Sequence, residues 1–311
     1  MTALHIVGRR KLWFLISLII ILPGLVALML WGLKPGIEFT GGSEIEVGGS
    51  SNQANLQAVI QEAGGHDITV TTSGDKLLLA RYTTQSGQDP EALHQEVKVR
   101  LQAAGFNETA YNQVGPSVSR DITRNAILSV LIASLAIIAY IAFAFRKTPP
   151  PLSSWSFGTT AIVALLHDAL VVIGVFAILG HFWGVQVDSL FVTAVLTVIG
   201  FSVHDTIVVY DRIRENLRRY NGSFEEIVDR SITETLARSI NTSLTVLIVL
   251  LAFFMFGGGS IHYFILALLI GILSGTYSSI FNAAPMLVVY NNYKIKKAGR
   301  RPAKSKAVKA S

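Results

Sequence analysis

The chain has 311 residues, 51% of them hydrophobic and 15% charged, with a formal charge of +6 and a mean hydropathy of +0.49. A water-soluble domain of this length carries more charge and shorter apolar runs, and the absence of cysteine excludes a disulfide framework, a thiolate metal site and a cysteine nucleophile. The positive charge does not indicate nucleic acid, because the basic residues stand beside apolar runs, where membrane topology accounts for them.

A crossing helix needs about 20 mostly apolar residues. The first such run is Leu12 to Trp31, behind Arg9, Arg10 and Lys11. A cleaved signal peptide has a shorter apolar region, about 7–15 residues, before a small-residue cleavage site. Here the run leads into Gly32-Leu33-Lys34-Pro35, so residues 1–33 are expected to be a cytoplasmic N-terminus and an uncleaved first span.

Residues 34–123 are polar and alternate strand with helix patterns. Ser43 to Val47 reads as a strand, and Asn52 to Ala63 as a helix with Leu56, Val59 and Ile60 on one face and Gly64-Gly65 as its stop. Asp67 to Thr72 and Lys76 to Tyr82 read as strands joined by Ser73-Gly74-Asp75. Asp89 is placed to cap a second helix with Pro90 in its first turn, burying Leu93, Val97 and Leu101 and stopping at Gly105. Glu108 to Val114 reads as the last strand. The order β-α-β-β-α-β predicts a small α+β ferredoxin-like domain. It contains no catalytic constellation: His66 and His94 are isolated. An extended polypeptide binding along its sheet edge is physically feasible.

Residues 124–290 hold five more apolar runs: Ala126 to Phe145, about Phe157 to Leu179, about Ser189 to Tyr210, about Thr242 to Phe256, and Ile261 to Val289. Pro149-Pro150-Pro151 breaks the chain after the second span, and Gly257-Gly258-Gly259 after the fifth. With six spans, Arg9, Arg10 and Lys11, then Arg146 and Lys147, then Arg212, Arg214, Arg218, Arg219 and Arg230, and finally Lys294, Lys296, Lys297, Arg300 and Arg301 all fall on one side. The short loops opposite carry neither Lys nor Arg. Both termini are therefore predicted cytoplasmic and residues 34–123 extracytoplasmic. The stretch 215–236 contains the capping-box pattern Ser223-Phe224-Glu225-Glu226 and apolar Ile227, Ile232 and Leu236, predicting an amphipathic helix on the cytoplasmic membrane surface. The tail, 291–311, is basic and suited to anionic lipids.

Charged groups at membrane depth are costly and mark function by default. The third span contains His167-Asp168 and the fourth His204-Asp205; Arg238 opens the fifth, just before Asn241, Thr242 and Ser243. The sixth carries Ser274, Tyr277, Ser278, Ser279 and Asn282, and Gly271 and Gly275 four apart, a face that permits close helix packing. Burial favours the neutral form of a carboxylate, and a nearby cation its charged form. Asp205 with Arg238 in reach is thus expected to form a switchable site, and His167 and His204 to be able to relay protons. The alternative is that these pairs only tie helices together by hydrogen bonds. Asp188, Asp211 and Arg212 are expected to be helix-end charges, with intersubunit contacts an alternative for the last two.

Several stretches resemble the SecD/SecF family of the RND superfamily, in its SecF branch. The clearest is Gly200-Phe-Ser-Val-His-Asp205-Thr-Ile-Val-Val-Tyr-Asp-Arg-Ile-Arg-Glu215-Asn216. Arg238-Ser-Ile-Asn-Thr-Ser-Leu-Thr245, Gly36-Ile-Glu-Phe-Thr-Gly-Gly42, Val114-Gly-Pro-Ser-Val118 and His167-Asp168 also match, in order, over residues 1–290. The resemblance implies six transmembrane helices forming an RND-like half in the bacterial inner membrane. It also implies a non-enzymatic subunit that works with SecD, the SecYEG channel and a YajC-like subunit, pulling unfolded polypeptide outward with protons as coupling ion and no cofactor. The family's proton-pathway carboxylate falls on Asp205 and its partner arginine on Arg238. Two positions depart: His204 stands where the family usually has Asn, so a relay role for it is not a family inference, and Glu38 stands where it usually has Asp. Without the SecD half the chain is expected to be incomplete as a transporter.

Two further readings stay open: a proton-coupled small-molecule or lipid exporter of the same superfamily, normally far longer, and an intramembrane aspartyl protease using Asp168 and Asp205. Against the latter, the chain has no Gly-x-Gly-Asp loop, and Arg238 would hold one carboxylate charged where a dyad needs a shared proton. A zinc protease lacks its His-Glu-x-x-His helix, and a purely structural scaffold is the remaining option.

Overall fold

The computed structural model describes residues 5–49, 52–73, 77–85, 88–146, 152–258, 261–297 and 299. The turn Ser73-Gly74-Asp75, the proline run at 149–151, Gly259 and most of the basic tail fall wholly or partly outside the described residues.

Helix α1 (Arg10–Trp31) continues from a 3₁₀ turn at Val7–Arg9. A single turn, α2 (Ile37–Thr40), then leads into the outer domain. Strands β1 (Gly42–Gly48), β2 (His66–Ser73), β3 (Leu77–Thr83) and β4 (Asn107–Val114) form one sheet in the order β2-β3-β1-β4, antiparallel throughout. Burial alternates along β1 and β3, so Ile45 and Val47 lie opposite Ala80 and Leu78 on the inner face. Helices α3 (Gln53–Glu62) and α4 (Pro90–Ala103) cover that face with Leu56, Ile60, Leu93, Val97 and Leu101. Their starts follow the sequence: Asn52 accepts from the Asn55 amide, and Asp89 caps ahead of Pro90 by accepting from Glu91 N–H. His94 is buried, stacked 3.5 Å from the Tyr111 ring, and plays a structural part; His66 is exposed.

Among the described residues six helices are long and apolar enough to cross a membrane: Val7–Trp31, Pro116–Ala144, Trp155–Trp183, Ser189–Arg219, Phe224–Phe256 and His262–Lys297. They contain α1, α5 (Pro116–Ala144), α6 (Ser154–Trp183), α7 (Ser189–Arg219), α8 (Phe224–Phe256), and α9 (His262–Ser278) running on into α10 (Ala284–Lys297). A π-helical turn at Ser279–Ala283 joins α9 to α10; Pro285, which has no N–H for the ladder, follows it. Half of the most apolar stretch of the third, fourth and sixth spans is buried, against 6% of the second and 11% of the fifth, so α6, α7 and α9 make the bundle's core. Two close approaches fix it. A Cβ on Gly24 would lie 2.8 Å from Gly174 Cα, where α1 crosses α6, and one on Gly271 would lie 2.1 Å from the Val198 side chain, where α9 crosses α7. The small-residue face of the sixth span is thus used within the chain.

The cytoplasmic stretch differs from the sequence expectation. No separate amphipathic helix spans 215–236: α7 runs on to Arg219, and α8 begins at Phe224 and continues unbroken into the fifth span. The Ser223–Glu226 capping box forms as read. The amphipathic face is buried, with Val228 and Ile232 in the bundle's core and Ile227 buried beside them, instead of lying on a lipid surface. Asp229 Oδ1 accepts from Val7 N–H at 2.8 Å, and Arg10 pairs with Glu225 at 3.0 Å, which ties this foot of α8 to the start of α1.

On the opposite side, the outer domain is stapled to the bundle. Gly36 N–H donates to Val187 O at 2.7 Å and Val187 N–H to Lys34 O at 2.8 Å, a short parallel bridge between the segment leaving α1 and the loop entering α7. Asp188 caps α7 by accepting from Phe191 N–H at 2.7 Å.

Candidate functional site

The site is built from one turn each of α6, α7, α8 and α9. On α7 the buried hydroxyl residues Ser202, Thr206 and Tyr210 recur every four positions and form a polar row inside an apolar helix. Tyr210 meets Thr160 at 2.6 Å and donates to Ala283 O at 3.2 Å, and Thr206 meets Ser279 at 2.9 Å. The row was not read from the sequence; its i, i+4, i+8 spacing was the signal available.

Asp168 is fully buried and enclosed by donors. Ser202 Oγ donates to it at 2.5 Å, Ser278 at 2.6 Å and Ser274 at 2.7 Å. His167 Nδ1 lies 2.9 Å from its other side. Both carboxylate oxygens thus have hydrogen-bond partners, three hydroxyl donors and the imidazole.

Asp205 is held differently. Ser243 Oγ of α8 donates to it at 3.5 Å and is itself 2.5 Å from Thr276 Oγ1 of α9. His204 Nδ1 stands 3.9 Å away, on a side chain that is 68% exposed. The expected pairing with Arg238 is not formed: among the described residues Arg238 has no ion pair or hydrogen bond, and its side chain is exposed. Helix geometry explains this. Arg238 lies five residues before Ser243, about 7.5 Å along α8 and about 140° around it, so Ser243 faces Asp205 while Arg238 faces outward.

The predicted residues therefore sort into two groups. His167 and Asp168 form an enclosed centre with Ser202, Ser274 and Ser278. Asp205 is buried where α7 meets α8, while His204 and Arg238 are exposed on those two helices. No hydrogen bond joins the two aspartates among the described residues, so the shared-proton geometry of an aspartyl protease is not formed, and no group of three or more metal-ligating side chains occurs among them. Asp211 and Arg212 make local ion pairs, Asp211 with Arg214 at 2.6 Å and Arg212 with Glu234 at 2.7 Å.

Comparisons with known proteins bear on this arrangement. A family profile described as protein export membrane protein SecD/SecF, C-terminal, matches residues 95–293. The protein translocase subunit SecF of Thermobaculum terrenum is 47% identical over 302 residues, covering 93% of this chain and 94% of the relative. That of Anaerolinea thermophila is 42% identical, covering 96% and 99%. The crystal structure of SecDF, a translocon-associated membrane protein, from Thermus thermophilus superposes with a TM-score of 0.82 at 29% identity, covering 93% of this chain and 39% of that one. The chain thus spans well under half of the SecDF chain and nearly all of the SecF relatives.

Proposed function

The chain belongs to the SecD/SecF family of protein export membrane proteins, on its SecF branch, and from that premise we propose that it acts with a SecD-type partner to draw secreted polypeptide outward, driven by the proton gradient. It is a multi-pass bacterial membrane protein of the Sec pathway. In this reading it is an accessory translocase subunit, with the SecYEG channel, a YajC-like subunit and anionic lipids as further partners. The Lys/Arg distribution supports cytoplasmic termini. The element order and sheet order support a ferredoxin-like outer domain on an RND-like half.

One observation carries the reading. Asp205 sits within a span on two hydroxyls, with an exposed histidine beside it and Arg238 on an exposed surface nearby. A carboxylate so placed is expensive to ionise in lipid unless a partner covers the face. A partner bundle packing on α7 and α8 would cover the exposed His204 beside Asp205, and a conformational change that turns Arg238 from its outward position, about 140° around α8 from Ser243, would bring it to the carboxylate. Protonation of Asp205 then depends on the relative position of the two bundles, which is what coupling requires. His167, Asp168 and His204 belong to the same proton-handling set.

Asp205→Asn is expected to assemble with the partner normally and to lose gradient-dependent export in reconstituted vesicles, leaving only the gradient-independent level. Arg238→Ala is expected to behave in the same way. Full export by an assembled Asp205→Asn complex would refute the coupling role.

A further inference from the structure

Asp168 reaches no bulk water through its own contacts: α6, α7 and α9 close over it with Ser202, Ser274, Ser278 and His167. His167 is the exception in that shell, because it has a second nitrogen. Nδ1 faces Asp168, while Nε2 is buried without a hydrogen-bond partner among the described residues. The side chain is 8% exposed and lines a cleft of about 240 Å³ between α1, α6 and the start of α10. The cleft's walls are apolar, Phe14, Leu18, Val163 and Met286 among them, yet it also reaches Ser17 and Asn282. These two are themselves buried and bonded to each other at 2.7 Å. Tyr277 lies alongside, its ring 6.3 Å from that of His167, so Asp168 is the one charged group that faces the imidazole among the described residues.

We propose that this cleft is a water site, and that His167 is the group through which Asp168 exchanges its proton with that water. Resting on the proton-coupled reading above, this adds a second entrance, lined by α1 and α10 and separate from the α7–α8 face. A buried polar nitrogen without a protein partner is ordinarily met by an ordered water, which needs two to four polar neighbours; beside His167 the cleft offers Ser17 and Asn282, which are paired with each other. At about 30 Å³ per water the cleft has room for several. An acyl chain would fit the walls and leave Nε2 unpaired. The wall residues contributed by α1 lie in its first half, towards Arg10, so the water comes from that side. The transfer balances on the imidazole: hydronium gives its proton to Nε2 and leaves as water, the Nδ1 proton passes to Asp168 Oδ1, and the ring ends neutral as the other tautomer.

The chain has no cysteine, so single cysteines report on the cleft without a background. The full chain in complex with its SecD-type partner, in inverted membrane vesicles, would be treated with a membrane-impermeant methanethiosulfonate, which reacts with a hydrated thiolate. Val163→Cys, in the cleft, is expected to react at least about tenfold faster than Leu22→Cys, a similarly exposed position of α1 outside it. If both react only with a lipid-soluble maleimide, the cleft is dry and lipid-filled and the proposal fails. His167→Gln is expected to lose gradient-dependent export while labelling at Val163→Cys persists; undiminished export would remove His167 from the route. Labelling is read without export. A wet cleft in a complex whose Asp205→Asn variant still exports overturns the coupling reading alone, and a dry cleft with an inactive Asp205→Asn overturns the cleft alone.

Discussion

Asp168 and Asp205 lie in the same bundle and meet opposite surroundings. Asp168 is met on both oxygens by hydroxyls and an imidazole; Asp205, also buried, has one long hydrogen bond and an exposed histidine beside it. A group held by many donors is structural as well as titratable, so Ser278→Ala should be costly. Removing one donor from a buried carboxylate is expected to destabilise the chain by about 1–3 kcal/mol, read as a lower thermal unfolding midpoint in detergent. The ionisable residues of both centres were legible because each interrupts an apolar run, where a charge has no cheap explanation. Ser202 and Thr276 were not, because a hydroxyl in a membrane helix can bond its own backbone and so marks nothing by itself; Thr276 does this with Ile272 O at 2.9 Å. The Asp205–Arg238 pairing was expected from order along the chain, and the turn of α8 between Arg238 and Ser243 keeps it from forming.

Elements were legible where periodicity was uninterrupted. The strands and both helices of the outer domain appear within a residue or two of their expected ends, since glycines and caps mark those ends physically. The fifth span was read too short, and its cytoplasmic extension as a separate surface helix. The reason lies at Arg238, Asn241 and Thr242, polar residues that look like a boundary to a hydropathy argument and yet are all good enough helix formers to let α8 run through. Helix crossings are visible only in three dimensions. Gly24 and Gly174 stand 150 residues apart and touch through bare backbone. Gly174→Leu should wedge α1 off α6, at about 1–3 kcal/mol or more, and show as a reduced yield of folded chain. Gly158→Leu, at an α6 position with nothing within 4 Å of its would-be Cβ, should leave that yield near normal.

At the scale of the molecule, the one-plus-five plan of spans around an outer domain was legible from charge and hydropathy, but the seat of that domain on the bundle was not. Glu38 and Asp188 come together there, both half-buried, beside the Arg81–Glu44 ion pair of the sheet. Burial, and then their mutual repulsion, pushes the Glu38 carboxyl above its ordinary range, and burial does the same for Asp188. The folded chain therefore binds protons there more tightly than the unfolded chain. Their contribution to stability is fully present below the ordinary carboxylate pKa and is lost as pH rises through the raised folded value. Thermal unfolding in detergent across about pH 4 to 8 should show the midpoint falling with rising pH over that window, with a shallower fall for Glu38→Gln.

The two hydrogen bonds between Lys34–Gly36 and Val187 have a mechanical consequence. They grip the chain one residue before the cap of α7, and Asp205 lies 17 residues beyond that cap on the same unbroken helix, about 25 Å along a stiff rod. A displacement of the outer domain is therefore delivered to the root of the very helix whose far portion carries the acid.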